Sequence, residues 1–386
     1  MQEVRKRLPT YKAISDSLHC MQSQVPMDKE ENMKPETIDF LKGKKILLSL
    51  WASGSETDRT THQRFYLPLK DKCSLTIFSP RDTYLSYGKR KMNRMFLERI
   101  EKEKPDIIFM EPMHTEFYLE TLAQIRKICD AKVVGMFSDD SWRFDEHSKH
   151  YAPFFDVVIS VLCKDALKKY DAMGLKAVES FAGINTDYFK PMDMEKKYDV
   201  AFIGSFSKER AKAIEAIERG EGIHVAAFGK GWDNGYIAPD KLVETINQCR
   251  IILNFGFAGN GTNQIKGRIF EYGACGAFML SEYHKDYGAY FSSDELVMFR
   301  DYEDMIANIR YYLQHEDERE EIADNMRRRI VKEYSLDSEL DSIFGKVMEC
   351  HGQWKDPGTR KVPFKWDYIN IRFIMAGLMA PFWGKA

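Results

Sequence analysis

Apolar residues along this chain gather in short unbroken runs, and the stretches between the runs carry apolar residues at helical spacing. KKILLSL (44–50), CSLTIF (73–78), DIIFM (106–110), KVVGMF (132–137) and DVVIS (156–160) are the first such runs. A strand covered on both faces has this unbroken pattern, as strands of a parallel sheet do. Helices are expected over Lys89–Lys104 and from about Glu116 to Cys129, so strand and helix alternate as βα units. The same grammar restarts at YDVAFIG (198–204) and continues through IHVAAF (223–228), RIILNF (250–255) and AFML (277–280).

The restart implies two α/β domains. Residues 1–42 are charged and weakly periodic and are read as a lead-in, 43–190 as the first domain, 191–345 as the second, and 346–386 as a carboxyl-terminal segment. The boundary falls in AGINTDYFKPMDMEKKYD, where Pro191 and the polar run after it make a linker. The final WDYINIRFIMAGLMAPFWGKA has two readings: it packs back onto the first domain, or it lies on a membrane surface as an amphipathic segment with Trp366 and Trp383 at its ends.

Composition narrows the partners. The 57 Lys and Arg against 59 Asp and Glu leave no global field for nucleic acid, so any basic site is local. Seven cysteines, odd in number and without C-x-x-C spacing, read as reduced thiols of a cytoplasmic protein. The amino terminus is too polar for a signal peptide, and no run is long enough to cross a bilayer.

The chemistry concentrates after Arg250, in RIILNFGFAGNGTNQIKGRIFEYGACGAFMLSE. A strand, a loop with Gly256, Gly259, Gly261 and Gly267, a helix bearing Arg268 and Glu271, and another strand follow without a break. Glycines let the backbone approach a ligand, and the free N–H groups of the helix opening near Asn263 to Gly267 favour an anion. Arg268 and Glu271 share a face; a guanidinium suits phosphate oxygens and a carboxylate suits vicinal ribose hydroxyls. This is the pattern of a nucleoside-diphosphate site, with Thr262 and Lys266 in the same loop. YDVAFIGSFSKER supplies a second loop at a strand end, with Gly204, Ser205, Lys208 and Arg210. FGKGW (228–232) supplies a third, whose Trp232 either stacks on a base or packs.

LNFG, the glycine-rich gap, KGRIFEYGACGAFML and the later DYEDMIANIRYYLQHEDEREEIADNMRRRI resemble the carboxyl-terminal domain of GT-B-type glycosyltransferases, nearest to a CgeB-like branch. The resemblance implies an α/β fold with two Rossmann-like domains facing across a cleft. It implies transfer of a sugar from a nucleotide-diphosphate sugar to a hydroxyl acceptor (glycan, lipid-linked glycan or protein), with no cofactor beyond that donor. In the retaining branch a Glu-x7-Glu pattern spans this helix; Glu271 matches the second Glu, which holds the ribose, and Asn263 stands where the first would touch the sugar. Arg210 matches the phosphate-contacting lysine six residues after the strand-end glycine, while Ser205 replaces the usual arginine, a loss that Arg268 offsets. The last helix of such enzymes returns to the first domain.

On the acceptor side the loop WASGSETDRTTHQRF carries Gly54, Ser55, His62 and Arg64, and His62 is the candidate to act on the acceptor hydroxyl. Glu111 and His114 follow one strand and Asp139 and Asp140 another, so a carboxylate such as Asp140 is placed to accept the acceptor's proton. Ser138-Asp139-Asp140 invites comparison with the Asp-x-Asp metal motif of single-domain glycosyltransferases. Two Rossmann-like domains instead stabilise the leaving diphosphate with helix N-termini and Arg or Lys, so no metal is expected. The alternatives are a nucleotide-sugar epimerase or hydrolase, and a catalytically silent nucleotide-sugar or carbohydrate-binding protein of an envelope or coat assembly.

Overall fold

A computed structural model describes residues 33–51, 64–181, 183–257 and 263–350, with 357, 358, 362, 371 and 375. It contains two parallel sheets. The first has strands β1 (Lys45–Ser49), β2 (Ser74–Ile77), β3 (Ile107–Met110), β4 (Lys132–Phe137), β5 (Val157–Val161) and β6 (Ala177–Ser180), in the order β2-β1-β3-β4-β5-β6. The second has β7 (Tyr198–Ile203), β8 (Val225–Phe228), β9 (Cys249–Asn254), β10 (Phe278–Glu282) and β11 (Val297–Phe299), in the order β11-β10-β9-β7-β8. Successive strand residues face opposite sides. Leu47, Ile108 and Val158 therefore enter one apolar layer of the first domain, and Ile46, Leu48, Phe109 and Val134 enter the other.

Helices cover both faces. In the first domain these are α1 (Pro35–Leu41), α2 (Pro80–Glu103), α3 (Leu119–Ile128) and α4 (Lys164–Ala172). In the second they are α5 (Lys208–Glu221), α6 (Leu242–Asn247), α7 (Arg268–Ala274), α8 (Tyr302–Gln314) and α9 (Glu316–Glu333). The last described helix, α10 (Leu336–Met348), departs from the sequence boundary that ended the second domain at residue 345. It buries Leu336, Leu340, Ile343, Phe344 and Val347 in the first domain, together with Ile46 and Leu48. Its apolar stripe faces the uncovered side of β5 and β6, and each such side chain buried contributes roughly 1.5–3 kcal/mol.

The chain thus crosses between the domains twice. Ile184 forms a parallel bridge with Ser335: its N–H donates to the Tyr334 carbonyl at 3.2 Å, and its own carbonyl accepts from Leu336 N–H at 2.9 Å. Beside it, Arg64 donates to Glu339 at 3.0 Å, and Ser180 Oγ donates to the same carboxylate at 2.6 Å. Gly183 sits at φ +37°, and a Cβ there would lie 2.2 Å from Glu339 Oε2. Arg64, read in the sequence as part of the acceptor loop, is therefore a strut between β6 and α10. Among the described residues no helix is long and apolar enough to cross a membrane.

Candidate active site

In the second sheet the chain runs from β7 outward to β8 and then returns to the other side of β7 as β9. Connections leaving in opposite directions open a crevice at the carboxyl ends of β7 and β9. Its walls are the loop after β7, beginning at Gly204, and the loop after β9, of which residues 258–262 lie outside the described part.

Three cations meet in this crevice. Arg210 sits in the first turn of α5, whose capping Ser207 Oγ accepts from Arg210 N–H at 3.3 Å. Its guanidinium donates to the carbonyls of Ser205 (2.7 Å) and Phe257 (3.5 Å). Arg268 donates to the Ile203 carbonyl at 2.8 Å. Both guanidinium groups lie over the Phe202 ring, 5.3 and 5.8 Å from its centroid. The ring's negative face attracts each of them and offsets part of their mutual repulsion.

The repulsion that remains is visible in their proton affinities. Burial, then the charges of Arg268 and Arg210, push the Lys266 amine down to about 8. Burial and Arg268 push Arg210 down to about 10. The carboxylates that counter this are Glu282 for both groups, Glu209 beside Arg210 and, from the first domain, Asp139 beside Lys266, and Glu282 already accepts the Gly256 N–H at 2.9 Å. The buried Nε of Arg210 has no hydrogen-bond partner among the described residues. A cluster of under-compensated positive charge, anchored through main-chain carbonyls, suits a ligand carrying more than one negative charge.

Two glycines make the approach of the loops possible. A Cβ on Gly204 would lie 2.5 Å from Arg268 Nη1 and 2.8 Å from Phe202 Cζ, and one on Gly229, at φ +129°, would lie 2.2 Å from the Gly204 carbonyl oxygen. Trp232 donates its indole N–H to that carbonyl at 2.9 Å and packs against the apolar layer beside Phe202. Of its two readings the structure shows packing. Phe202 itself escaped the sequence analysis, because in a buried strand an aromatic reads as core; the signal was its place two residues before the strand-end glycine.

The remaining sequence candidates separate. Glu271 is half-buried in the first turn of α7, three residues beyond Arg268, with Gly267 at that helix's cap. Lys208 and Ser205 are exposed at the start of α5 and in the loop before it. Asn263 differs from expectation. Its amide donates to the Tyr283 carbonyl at 3.1 Å, its Oδ1 lies 1.7 Å from where a Gly256 Cβ would stand, and it bridges Phe257. It closes the base of the glycine-rich loop, because only glycine at 256 leaves room for it. Gly261, Thr262 and His62, with Gly54 and Ser55, lie outside the described residues.

Asp140 also differs. It is buried, accepts the Ser160 hydroxyl at 2.7 Å and the Tyr170 hydroxyl at 2.9 Å, and burial pushes its carboxyl up to about 6. It ties the start of a short helix to β5 and α4, whereas its neighbour Asp139 is the one close enough to raise the proton affinity of Lys266 across the cleft. Ser141 Oγ donates to Gln264 Oε1 at 3.1 Å on the same side. Glu111 ends β3 at the first sheet's own switch point, between β1 and β3; it accepts the Ser138 hydroxyl at 2.7 Å, and burial pushes it up to about 7. His114 packs edge-on to Trp51 at 4.5 Å between centroids.

Comparison with known proteins agrees with this geometry. HepE of Anabaena, solved with UDP and glucose, superimposes with a TM-score of 0.57 at 11% identity over 79% of this chain and 99% of its own. Sucrose-phosphate synthase of Thermosynechococcus elongatus gives 0.58 at 11% identity, covering 79% and 98%. A glycosyltransferase of Rickettsia africae gives 0.56 at 12% identity, covering 80% and 98%. At such identities the likeness is one of fold. The family described as glycosyl transferase-like matches residues 209–345, from the start of α5 into α10, and so includes Arg210, Lys266 and Arg268. The fold is that of the GT-B glycosyltransferases. The matched segment holds the cation crevice, and the first sheet presents Asp139 opposite it. No curated protein sequence matches the chain.

Proposed function

We propose that this protein is a glycosyltransferase, which takes its sugar from a nucleoside-diphosphate sugar bound mainly to the second domain and transfers it to a hydroxyl acceptor held by the first. The carrying observation is the meeting of Arg210 and Arg268 over Phe202, with Lys266 close enough to feel both charges, at the second switch point. As the bond from sugar to diphosphate breaks, negative charge grows on the leaving phosphate, and donors already fixed by main-chain carbonyls stabilise it without reorganising. Glu271, one turn along α7 from Arg268, takes the ribose hydroxyls in this reading. HepE's complex with UDP-glucose supports a donor of this class.

The same cations make a metal unnecessary for charge compensation. A thermal-shift screen of UDP-, GDP-, CDP-, ADP- and dTDP-sugars, run with and without EDTA, tests both parts. A donor at about a hundred times its dissociation constant stabilises the fold by about 2.7 kcal/mol. Stabilisation and turnover that survive EDTA are expected. Loss in EDTA with recovery on adding manganese would overturn the metal-free reading, and no stabilisation by any donor would overturn the donor site.

A further inference from the structure

The geometry points to an acidic glycan as the acceptor, gripped by a basic and aromatic overhang on the rim of the first domain; this rests on the glycosyl-transfer reading above. Helix α2 is two legs joined at Gly88, whose φ of 78° and ψ of 164° break the helix. The chain leaves β2 at the carboxyl end of the sheet and must reach the amino end to begin β3. The second leg, from Lys89 to Glu103, spans about 22 Å at 1.5 Å per residue, enough for that whole descent. It buries Met92, Phe96 and Ile100 as it goes, whereas the first leg fully buries no side chain after Pro80 and rests only Tyr84 against the same layer. The first leg and the Gly88 apex therefore stand beyond the carboxyl edge, on the side where the domains face each other.

The basic charge gathers just past the apex, in the opening turns of the second leg, in a chain of net charge −2. Lys89, Arg90, Lys91 and Arg94 follow Gly88 there, with Arg81 and Asp82 offsetting each other on the first leg and Glu98 pairing with Arg94 at 3.7 Å. Arg90, Lys91 and Arg94 are exposed. Tyrosine rings lie among them: Lys91 sits 4.3 Å from the Tyr87 centroid and Lys89 sits 4.4 Å from that of Tyr118. Tyr87 is 52% exposed and Tyr118 39%. Flat rings suit sugar faces, and the cations suit the carboxylates, sulfates or phosphates borne by those sugars. The large hydrophobic side chains exposed here are these tyrosines, with no exposed aliphatic chain to enter a bilayer, and this favours a glycan over a lipid surface.

The overhang also joins the cleft. Lys89 donates to the Thr115 carbonyl, and Asn93 donates to the Glu116 carbonyl at 2.8 Å. The loop they hold leads back to Glu111, beside Ser138 and Asp139, which face the donor cations. A chain lying on the tyrosines is thereby directed toward the donor.

The test is binding of heparin and polygalacturonate, with dextran as the neutral glycan and phosphatidylcholine vesicles containing phosphatidylglycerol as the anionic membrane. The proteins are the wild type, Arg90→Glu/Lys91→Glu, and the remote control Arg328→Glu/Lys332→Glu on α9. Binding of an anionic glycan that weakens with salt, and falls on the order of tenfold in the overhang variant but not in the control, is expected. Equal loss in both variants, dextran binding as tightly, or vesicles bound more tightly than either anionic glycan would overturn the assignment. Thermal stabilisation by UDP-sugar, measured on the same samples, stays unchanged in both variants, so failure here is separable from failure of the donor site.

Discussion

Replacing Lys266 with methionine is expected to make the ligand-free protein more stable and the donor site weaker. The amine is held at about 8 against an ordinary value of 10.5, chiefly by burial and then by the two arginines. Between those values the unfolded chain keeps the proton and the folded chain sheds it, so stability rises with pH across that window. Below about 8 both states are protonated and the folded state carries the full cost, at most about 3 kcal/mol, less what water screens at a half-buried group. Methionine keeps the stem and removes the charge. At pH 7 the variant should therefore melt higher, by roughly 2–4 °C for each kcal/mol recovered, and the difference should close as the pH approaches 10.5. Its affinity for UDP should fall by one charge-assisted hydrogen bond, roughly tenfold to a hundredfold. Wild-type affinity should itself decline from pH 7 to pH 9 as Lys266 loses its proton, while the variant's stays level. Scanning fluorimetry across pH and calorimetric titration of UDP at the two pH values read both effects. Equal melting at pH 7, or UDP affinity unaltered by the substitution, would refute the claim that Lys266 is a strained member of an anion site.

Gly204→Ala should cost donor affinity on the order of tenfold with the fold intact, since a Cβ 2.5 Å from Arg268 Nη1 drives that side chain off the Ile203 carbonyl; titration of UDP measures it. Glu271→Ala should weaken UDP-sugar binding by roughly 1–3 kcal/mol while leaving inorganic pyrophosphate binding alone, and equal loss for both ligands would move Glu271 away from the ribose. Glu339→Ala, which strands Arg64 beside β6, should destabilise by roughly 3–5 kcal/mol in denaturant unfolding. The double replacement Arg64→Met/Glu339→Leu should recover much of that loss.

The parts of this molecule legible in its sequence are those with a local cause. Unbroken apolar runs marked most strands of both sheets, though not the short β6 and β11, and glycines at strand ends marked the loops that wall the crevice. Arg210, Lys266 and Arg268 were singled out by residue type and spacing, and the fold brings the three together. What stayed hidden depends on contacts between distant segments. Asp139 and Asp140 are indistinguishable in a list of strand-end carboxylates, yet Ser160 and Tyr170 claim Asp140, so that Asp139 is the one left near Lys266. Asn263 was placed at the sugar by a motif, and the Tyr283 carbonyl, twenty residues away, holds it at the loop base. The role of α10 was invisible because its amphipathic stripe states only that it packs, and only the vacancy beside β5 and β6 determines where.

The pairing of Ile184 with Ser335 makes the second domain an insertion, entered and left through adjacent backbone. Everything from β7 through α9 hangs between two points joined by hydrogen bonds of 3.2 and 2.9 Å. Such a unit can be excised at its neck with the wound in the parent closed by a very short splice. The second domain, cut there, keeps its sheet, its cations and both walls of its crevice, and the remainder keeps six strands and the helix that completes its core. A gene joining β6 to α10, and another spanning the domain between them, would express two separate modules, each open to recombination with counterparts of the same architecture.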